Sequence, residues 1–243
     1  MTTSNLSTPA QEFVNSVLAL EPAVAVFDCD GTLWSGDSGA DFFYWQIRRN
    51  MLPPEVARRA LERYADYKRG NVGEEIMCGE MVTINANLSE QDLETAAQDF
   101  FAEVVQHRIF PEMLDLAQRL RASSCELWAV SSTNVWVVAE GAKRFGIPRE
   151  RVLAACARTR EGMITRDLVR VPSGHAKATA LQEILGKNVD ICFGNSMHDL
   201  AMMETAEHAF AVNPNPDLEQ IARGRGWKIY WPMASRETTK DTK

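Results

Sequence analysis

The sequence predicts an α/β fold, a doubly wound parallel sheet that carries a helical cap domain. Strand-like and helical segments alternate from about residue 107 to residue 231, which is typical of a parallel sheet with helices on both faces. Between about residues 36 and 106 the apolar residues recur at helical spacing throughout. We therefore predict a core domain made of residues 1–35 and 107–243, and a helical cap domain inserted into it at residues 36–106, called the cap below.

The first elements lead from a helix into a buried strand. Apolar residues at helical spacing, among them Phe13, Val14 and Val17, predict a helix near residues 11–20. The apolar run that begins at Ala23 ends in two acids and a glycine at residues 28–31. An uninterrupted run of this kind predicts a strand buried on both faces, as in a parallel sheet.

Four segments of the cap carry helical periodicity, at residues 38–50, 54–69, 74–86 and 90–106. Pro53-Pro54 and Gly70-Asn71 separate the first three. Ser89, with Asp92 three residues later, has the pattern of a helix N-cap. The cap is therefore expected to be entirely helical.

Strands and helices alternate after the cap. The predicted helices lie at residues 111–122, 134–145, 174–186, 197–205 and 216–224. The predicted strands lie at residues 125–131, 151–156, 189–194, 208–212 and 227–231. Residues 158–170 predict a hairpin around Glu161-Gly162, and the polar tail 235–243 is expected to be disordered.

Composition narrows the class of protein. A net charge of −7 over 243 residues argues against a sequence-independent nucleic-acid binder, which needs a basic surface. Five cysteines without a C-x-x-C spacing predict free thiols in a reducing compartment. No signal peptide is recognisable, and no apolar stretch reaches the ~18 residues that suggest a membrane span. The expected location is the cytoplasm, and the oligomeric state stays open.

Two carboxylates follow the first strand. Ligands of parallel sheets bind beyond the carboxyl ends of the strands, where Asp28 and Asp30 lie. Like charges this close favour a bound cation, and one acid could serve as nucleophile while the other transfers protons. The alternative is an ordinary acidic turn, since Asp30-Gly31 is also common turn chemistry.

Ser131 and Lys177 are candidates for holding an anion. Ser131 ends a predicted strand, and its hydroxyl and the following backbone N–H groups could hold a phosphate oxygen. Lys177, at the edge of the buried face of a predicted helix, could neutralise a phosphoryl group. The alternatives are a helix N-cap within residues 131–134 and a solvated surface lysine.

Asn195 and Asp199 follow another strand. If a helix begins there, these residues lie four apart on one face. Oxygen ligands on one face suit magnesium. The alternative is helix capping by Asn195 and Ser196.

In this order, the segment FDCDGT (27–32), Ser131, Lys177 and GNSMHD (194–199) resemble the four motifs of the haloacid dehalogenase-like superfamily. The position of the cap between the first two motifs resembles the branch that contains phosphoserine phosphatases. The resemblance implies a Rossmann-like core and a phosphatase of small phosphorylated metabolites. Dehalogenation uses the same nucleophile, but Asp30 argues against it, since the dehalogenases lack a second acid there.

The resemblance also implies residue roles. Asp28 attacks phosphorus, and Asp30 protonates the leaving alcohol and then activates water. The phosphoryl oxygens are held by Thr32, Ser131, Ser132 and Lys177. Magnesium is bound by Asp28, the backbone carbonyl of Asp30, Asn195 and Asp199.

Asn195 and Asp37 differ from the residues that the family often has at these positions. The family often has an aspartate where this chain has Asn195, so weakened metal binding, or a phosphate-binding protein without catalysis, is an alternative. Asp37 lies nine residues after Asp28, where phosphoserine phosphatases place a glutamate against the substrate ammonium. It could read a cationic substrate, with aromatic faces from Trp34, Tyr44 and Trp45, or simply cap the first helix of the cap.

Overall fold

The computed structural model describes residues 6–186 and 189–232. The strands are β1 (Val24–Phe27), β2 (Glu126–Asn134), β3 (Val152–Arg160), β4 (Met163–Arg170), β5 (Val189–Gly194), β6 (Ala206–Val212) and β7 (Lys228–Tyr230). The helices are α1 (Thr8–Leu18), α2 (Ser38–Arg48), α3 (Pro54–Lys68), α4 (Glu74–Thr83), α5 (Glu90–Phe100), α6 (Pro111–Ala122), α7 (Val135–Arg144), α8 (His175–Leu185), α9 (Leu200–Met203) and α10 (Pro216–Arg225). The polar tail predicted to be disordered lies outside the described residues.

A seven-stranded sheet forms the centre of the fold. Its order is β4-β3-β2-β1-β5-β6-β7, and all neighbours are parallel except the β3–β4 hairpin. The predicted α/β fold is therefore confirmed. Because β1 lies between β2 and β5, the residues that follow these three strands meet at one edge of the sheet, as the sequence predicts.

The sheet is buried on both faces. Ala25 and Phe27 of β1 belong to one apolar cluster, shared with α1, α6 and α7. Val24 and Val26 belong to a second cluster on the opposite face, which also contains Leu181 of α8. Alternate residues of β1 thus enter different layers, which explains why the whole strand is apolar.

The cap helices α2–α5 lie in the chain between β1 and α6. Phe43, Tyr64 and Met77 form a small apolar cluster within the cap, whereas Leu93 and Phe100 join the large cluster of the core. The division into two domains stays a prediction. Among the described residues, no helix combines the length and apolar character needed to cross a membrane.

Two elements differ in detail from the sequence prediction. The helix expected at 90–106 ends as a π-helix over Phe101–Val105, followed by a 3-10 turn over Gln106–Arg108. β2 continues past Ser131 to Asn134 through an irregularity in its pairing with β3. π-helices and strand irregularities often occur beside functional sites. Neither changes the spacing of the apolar residues, so the sequence pattern does not predict them.

Candidate active site

Asp28 lies directly after β1, at the bottom of a cleft between sheet and cap. Its backbone N–H donates to Phe193 O at 2.9 Å, which extends the pairing of β1 with β5. Oδ1 of its carboxylate accepts from Lys177 Nζ at 2.7 Å, and Oδ2 accepts from Thr32 Oγ1 at 2.9 Å. Burial and the nearby Asp199 raise the pKa of Asp28 to about 7, against the lowering effect of Lys177.

Lys177 is 2% exposed, so the interpretation as a solvated surface lysine is wrong. Its ammonium donates to Asp28 Oδ1 and, at 2.6 Å, to Asp199 Oδ1. Burial alone would lower the pKa of Lys177, but the two carboxylates outweigh burial and raise the pKa above its ordinary value. The lysine is therefore charged and fixed between two acids.

Asp199 lies on the far side of Lys177 and is fully buried. Its Oδ2 accepts from the backbone N–H groups of Asn195 and Ser196, both at 2.9 Å, and from Ser196 Oγ at 3.2 Å. Its Oδ1 faces Lys177. Asp199 therefore holds Lys177 through one oxygen and the backbone of residues 195 and 196 through the other, and its expected role as a metal ligand stays a prediction.

Asp30 is half-buried on the wall of the cleft, two residues after Asp28. Its Oδ1 accepts from Trp34 Nε1 at 2.6 Å and from the backbone N–H of Ser38 at 2.9 Å. Its Oδ2 accepts from Thr133 Oγ1 at 2.8 Å. The turn between the two acids depends on Gly31, whose φ of 80° lies in the left-handed region that glycine tolerates best.

Ser131 and Ser132, near the end of β2, have different surroundings from Thr32, which follows β1. Ser131 and Ser132 line the cleft. Ser131 Oγ accepts from Thr133 N at 3.1 Å, which leaves its hydroxyl hydrogen for a ligand. Thr32 is fully buried and its hydroxyl donates to Asp28, and its expected role in holding phosphate stays a prediction.

Asn134, rather than either serine, caps helix α7. Its side chain accepts from Val137 N at 3.1 Å. The helix N-cap expected within residues 131–134 is therefore confirmed at Asn134, and the hydroxyl of Ser131 is not used for it.

The donor set near Asp28 fits magnesium. The side chain of Asn195 lies against Gly31, since a Cβ added at Gly31 would fall 1.8 Å from Asn195 Nδ2. This contact places the side-chain amide of Asn195 beside Gly31, on the wall of the cleft that Asp28 and Asp30 also line. No cluster of three or more His, Cys, Asp or Glu side chains suited to a metal occurs in the described part of the chain. A small oxygen set with few carboxylates is nevertheless what magnesium uses, because it retains several waters.

The charges of the cleft also favour a bound divalent cation. Asp28 and Asp199 both accept from the ammonium of Lys177, and Asp30 adds a third carboxylate close enough to raise the pKa of Asp28. A divalent cation would balance the remaining negative charge.

The cap supplies the opposite wall of the cleft, which has a volume of about 240 Å³. The cap residues on it are Asp37, Tyr64, Tyr67, Glu74, Met77, Cys78 and Met81. Trp34 and Trp45 are buried away from the open space, so the aromatic faces come from other residues than the sequence suggested. The three-residue spacing of Tyr64 and Tyr67 on α3 is the signal that could have identified them.

Asp37 caps α2 and also lies on the cleft, and its role in reading a cationic substrate stays a prediction. Its Oδ1 accepts from Ala40 N at 2.9 Å, so it is the N-cap of α2. Its carboxylate also lines the cleft. Loss of solvent between the walls, followed by repulsion from Asp30, raises the pKa of Asp37 to about 6.

Glu74 is a cleft residue that the sequence did not reveal. It begins helix α4 of the cap, and it accepts from Ser173 Oγ at 2.8 Å and pairs with His198 Nε2. The hydrogen bond to Glu74 raises the pKa of His198. Residues far apart in the chain form this contact, so no local pattern announces it.

Comparison with known proteins agrees with this arrangement. Residues 25–204 match the family model of haloacid dehalogenase-like hydrolases. A histidinol-phosphatase of Neisseria meningitidis serogroup C is 24% identical over 217 residues, which cover 85% of this chain and 97% of that protein. The phosphoserine phosphatase SerB1 of Mycobacterium tuberculosis is 26% identical over 219 residues, 85% of this chain and 70% of that protein.

Solved structures share the fold. A Bordetella pertussis protein of unknown function superposes with a TM-score of 0.73 at 25% identity, covering 85% of this chain and 97% of that one. A substrate-bound phosphoserine phosphatase superposes with a TM-score of 0.59 at 17% identity, covering 91% and 99% of the two chains.

The fold and the relatives define a hydrolase of the phosphatase class, acting on phosphoric monoesters. The chain belongs to the haloacid dehalogenase-like hydrolase family.

Proposed function

We propose that this chain hydrolyses a small phosphomonoester with magnesium, through an aspartyl phosphate formed on Asp28. One observation carries the proposal. A buried lysine holds the Asp28 carboxylate at 2.7 Å at the bottom of a cleft that is also lined by hydroxyl groups. Positioning and charge neutralisation of this kind supply most of the catalysis in phosphoryl transfer.

The side chains divide the reaction into two steps. Lys177, Ser131 and Ser132 hold the phosphoryl oxygens while an Asp28 oxygen attacks phosphorus. The bond from phosphorus to the ester oxygen breaks, and Asp30 gives that oxygen a proton. Asp30 then takes a proton from a water molecule that attacks phosphorus, which releases phosphate and restores Asp28.

Magnesium, when bound, would neutralise the phosphoryl charge as a Lewis acid. We propose Asp28, the backbone carbonyl of Asp30 and Asn195 as its protein ligands. Asp199 positions Lys177 and the backbone of residues 195 and 196. A neutral amide in place of a carboxylate gives a weaker ligand set, while the assembled Asp28–Lys177 pair favours catalysis over a merely phosphate-binding protein.

The ligand assignment predicts a specific metal response. Exhaustive chelation is expected to abolish turnover, and added magnesium to restore it. Asn195→Ala should raise the magnesium concentration for half-maximal activity by roughly tenfold or more, and Asn195→Asp should lower it. Asn71→Asp, on the cap surface, is the control for an added charge. Activity that survives chelation would remove the metal from the proposal.

The cleft favours a leaving group that is neutral or positively charged. Asp37 and Glu74 both line it. Among the described lining residues the basic side chains are Lys177 and His198, and both are engaged by carboxylates. Tyr64 and Tyr67 add aromatic faces that suit a cation. We therefore propose a phosphorylated amino alcohol as the substrate class, and a cytoplasmic location in keeping with the free cysteines.

This substrate class predicts a change in selectivity for Asp37→Asn. The amide keeps the oxygen that caps α2 but removes the charge. Catalytic efficiency on histidinol phosphate should fall by about tenfold, the effect of losing one ion-pair interaction of ~1.4 kcal/mol, and efficiency on glycerol phosphate should be unchanged. Phosphoserine, whose carboxylate would face Asp37 and Glu74, should be the poorer amine substrate.

The control is Asp92→Asn, in the first turn of cap helix α5, which should alter neither efficiency. Equal effects of Asp37→Asn on the amine and the neutral substrate, at an unchanged melting temperature, would show that Asp37 only caps its helix.

A further inference from the structure

We propose that Trp34 is a positioning residue for Asp30. Its indole N–H fixes Oδ1 of the carboxylate, so that Oδ2 is the oxygen that exchanges protons with the leaving group and with water. This inference rests on the proposed function, and it adds a residue that neither the sequence motifs nor the comparisons assign.

The hydrogen bonds around Asp30 are unequally distributed. Oδ1 accepts two N–H groups, from Trp34 at 2.6 Å and from Ser38 at 2.9 Å. Oδ2 accepts one hydroxyl, from Thr133 at 2.8 Å. Each carboxylate oxygen has about two lone-pair sites. Oδ1 is therefore saturated, whereas Oδ2 keeps a free site for a proton.

The indole ring is itself held in place. Trp34 is fully buried, and its ring meets Phe101 edge-on at 5.6 Å between centroids. The ring also lies against Gly141 of α7, where an added Cβ would fall 2.6 Å from Trp34 Cη2 and 2.7 Å from Phe101 Cε2. A ring confined by both neighbours keeps the N–H directed at Asp30.

The backbone of Trp34 adds a further constraint. Its carbonyl accepts from Gly31 N at 2.7 Å, which closes the turn that carries both acids. Phe101 belongs to the π-helix at the end of the cap. Trp34 thus contacts both the segment by which the chain leaves the cap, through Phe101, and the carboxylate of Asp30.

The proton transfers follow from this geometry. In the first step the Oδ2–H bond breaks and its proton moves to the ester oxygen as the bond from phosphorus to that oxygen breaks. In the second step the attacking water gives a proton to Oδ2. A misplaced Oδ2 slows the first step most when the leaving oxygen is strongly basic, since a weakly basic oxygen leaves without protonation.

The test uses Trp34→Phe, which removes the N–H and keeps an aromatic ring. We expect release of the alcohol from an alkyl phosphate in the first turnover to slow by roughly 10–100-fold, within the range of general acid catalysis. Release of p-nitrophenol from p-nitrophenyl phosphate, which has a good leaving group, should change little in the same measurement, because the first turnover precedes the second step that both substrates share. The ratio of the two rates on one sample is independent of the fraction of folded enzyme.

Trp136→Phe is the matched control. Trp136 is 3% exposed, and its indole N–H has no hydrogen-bond partner in the described part of the chain. This variant should leave the ratio of alkyl to aryl first-turnover rates at the wild-type value. Equal losses on both substrates in Trp34→Phe, or no loss on either, would overturn the inference.

A second variant, Thr133→Val, tests the positioning role of Trp34 if Trp34→Phe does not fold. Thr133→Val removes the donor to Oδ2 but leaves both donors to Oδ1, so the ratio should fall only a few-fold. A ratio as low as that of Asp30→Asn would show that Thr133, not Trp34, positions the acid. Wild-type protein inactive on both phosphates would instead refute the proposed function itself.

Discussion

Asp28→Asn is expected to reduce turnover by roughly four orders of magnitude or more, as loss of a nucleophile does in other enzymes. The amide has the shape of the carboxylate but cannot attack phosphorus. Its oxygen can still accept a hydrogen bond from Lys177 or Thr32, the two partners of the native side chain. The fold should therefore persist, and the measurement is a steady-state phosphatase assay beside a thermal melt.

Asp167→Asn is the matched control for this substitution. Asp167 lies on the exposed hairpin strand β4 and pairs with Arg160. Its replacement should leave turnover unchanged. Substantial activity in a pure, folded sample of Asp28→Asn would remove Asp28 from the nucleophilic role.

Lys177→Met is expected to combine the second largest loss of activity with a large loss of stability. The substitution leaves Asp28 and Asp199 buried, close together and without a cation. Removing one partner of a buried ion pair typically costs about 3–5 kcal/mol of unfolding free energy. Turnover should fall by about 10³-fold, because a donor to the phosphoryl oxygens is lost in a water-poor site.

A double variant separates the two effects. Lys177→Met with Asp199→Asn removes one of the two uncompensated charges, so part of the unfolding free energy should return. Activity should not return, since the ammonium is still missing. Chemical denaturation of the two single variants, the double variant and the wild type measures both quantities. A Lys177→Met protein as stable and as active as wild type would contradict the buried arrangement.

The sequence could predict that the candidate site residues lie close together, because this depends only on the order and the direction of the strands. Asp28 and Asn195 follow β1 and β5, and Ser131 lies near the carboxyl end of β2. Neighbouring parallel strands end at one edge of a sheet. Hydrophobic runs and turn residues are enough to locate those strand ends. The same patterns located the helices of the cap.

Individual contacts of side chains could not be predicted in this way. The sequence places Lys177 at the edge of a buried helix face, with a solvated surface lysine as the alternative, and only the packing of α8 shows that two acids enclose it. The contacts of Asp199 with Lys177 and with the backbone of residues 195 and 196 were not predicted, because the position of a residue in a motif does not show where each oxygen points. Trp34 and Glu74 depend on partners that only the assembled fold brings near.

The most direct test of the central proposal is detection of the covalent intermediate on Asp28. Wild-type protein and the Asp30→Asn variant, which lacks the base for the second step, are mixed with magnesium and substrate and then quenched rapidly in acid. Peptide mass spectrometry should find one phosphoryl group on Asp28, more abundant in Asp30→Asn. An active enzyme without a phosphoryl group on Asp28, or with one on another residue, would contradict the account.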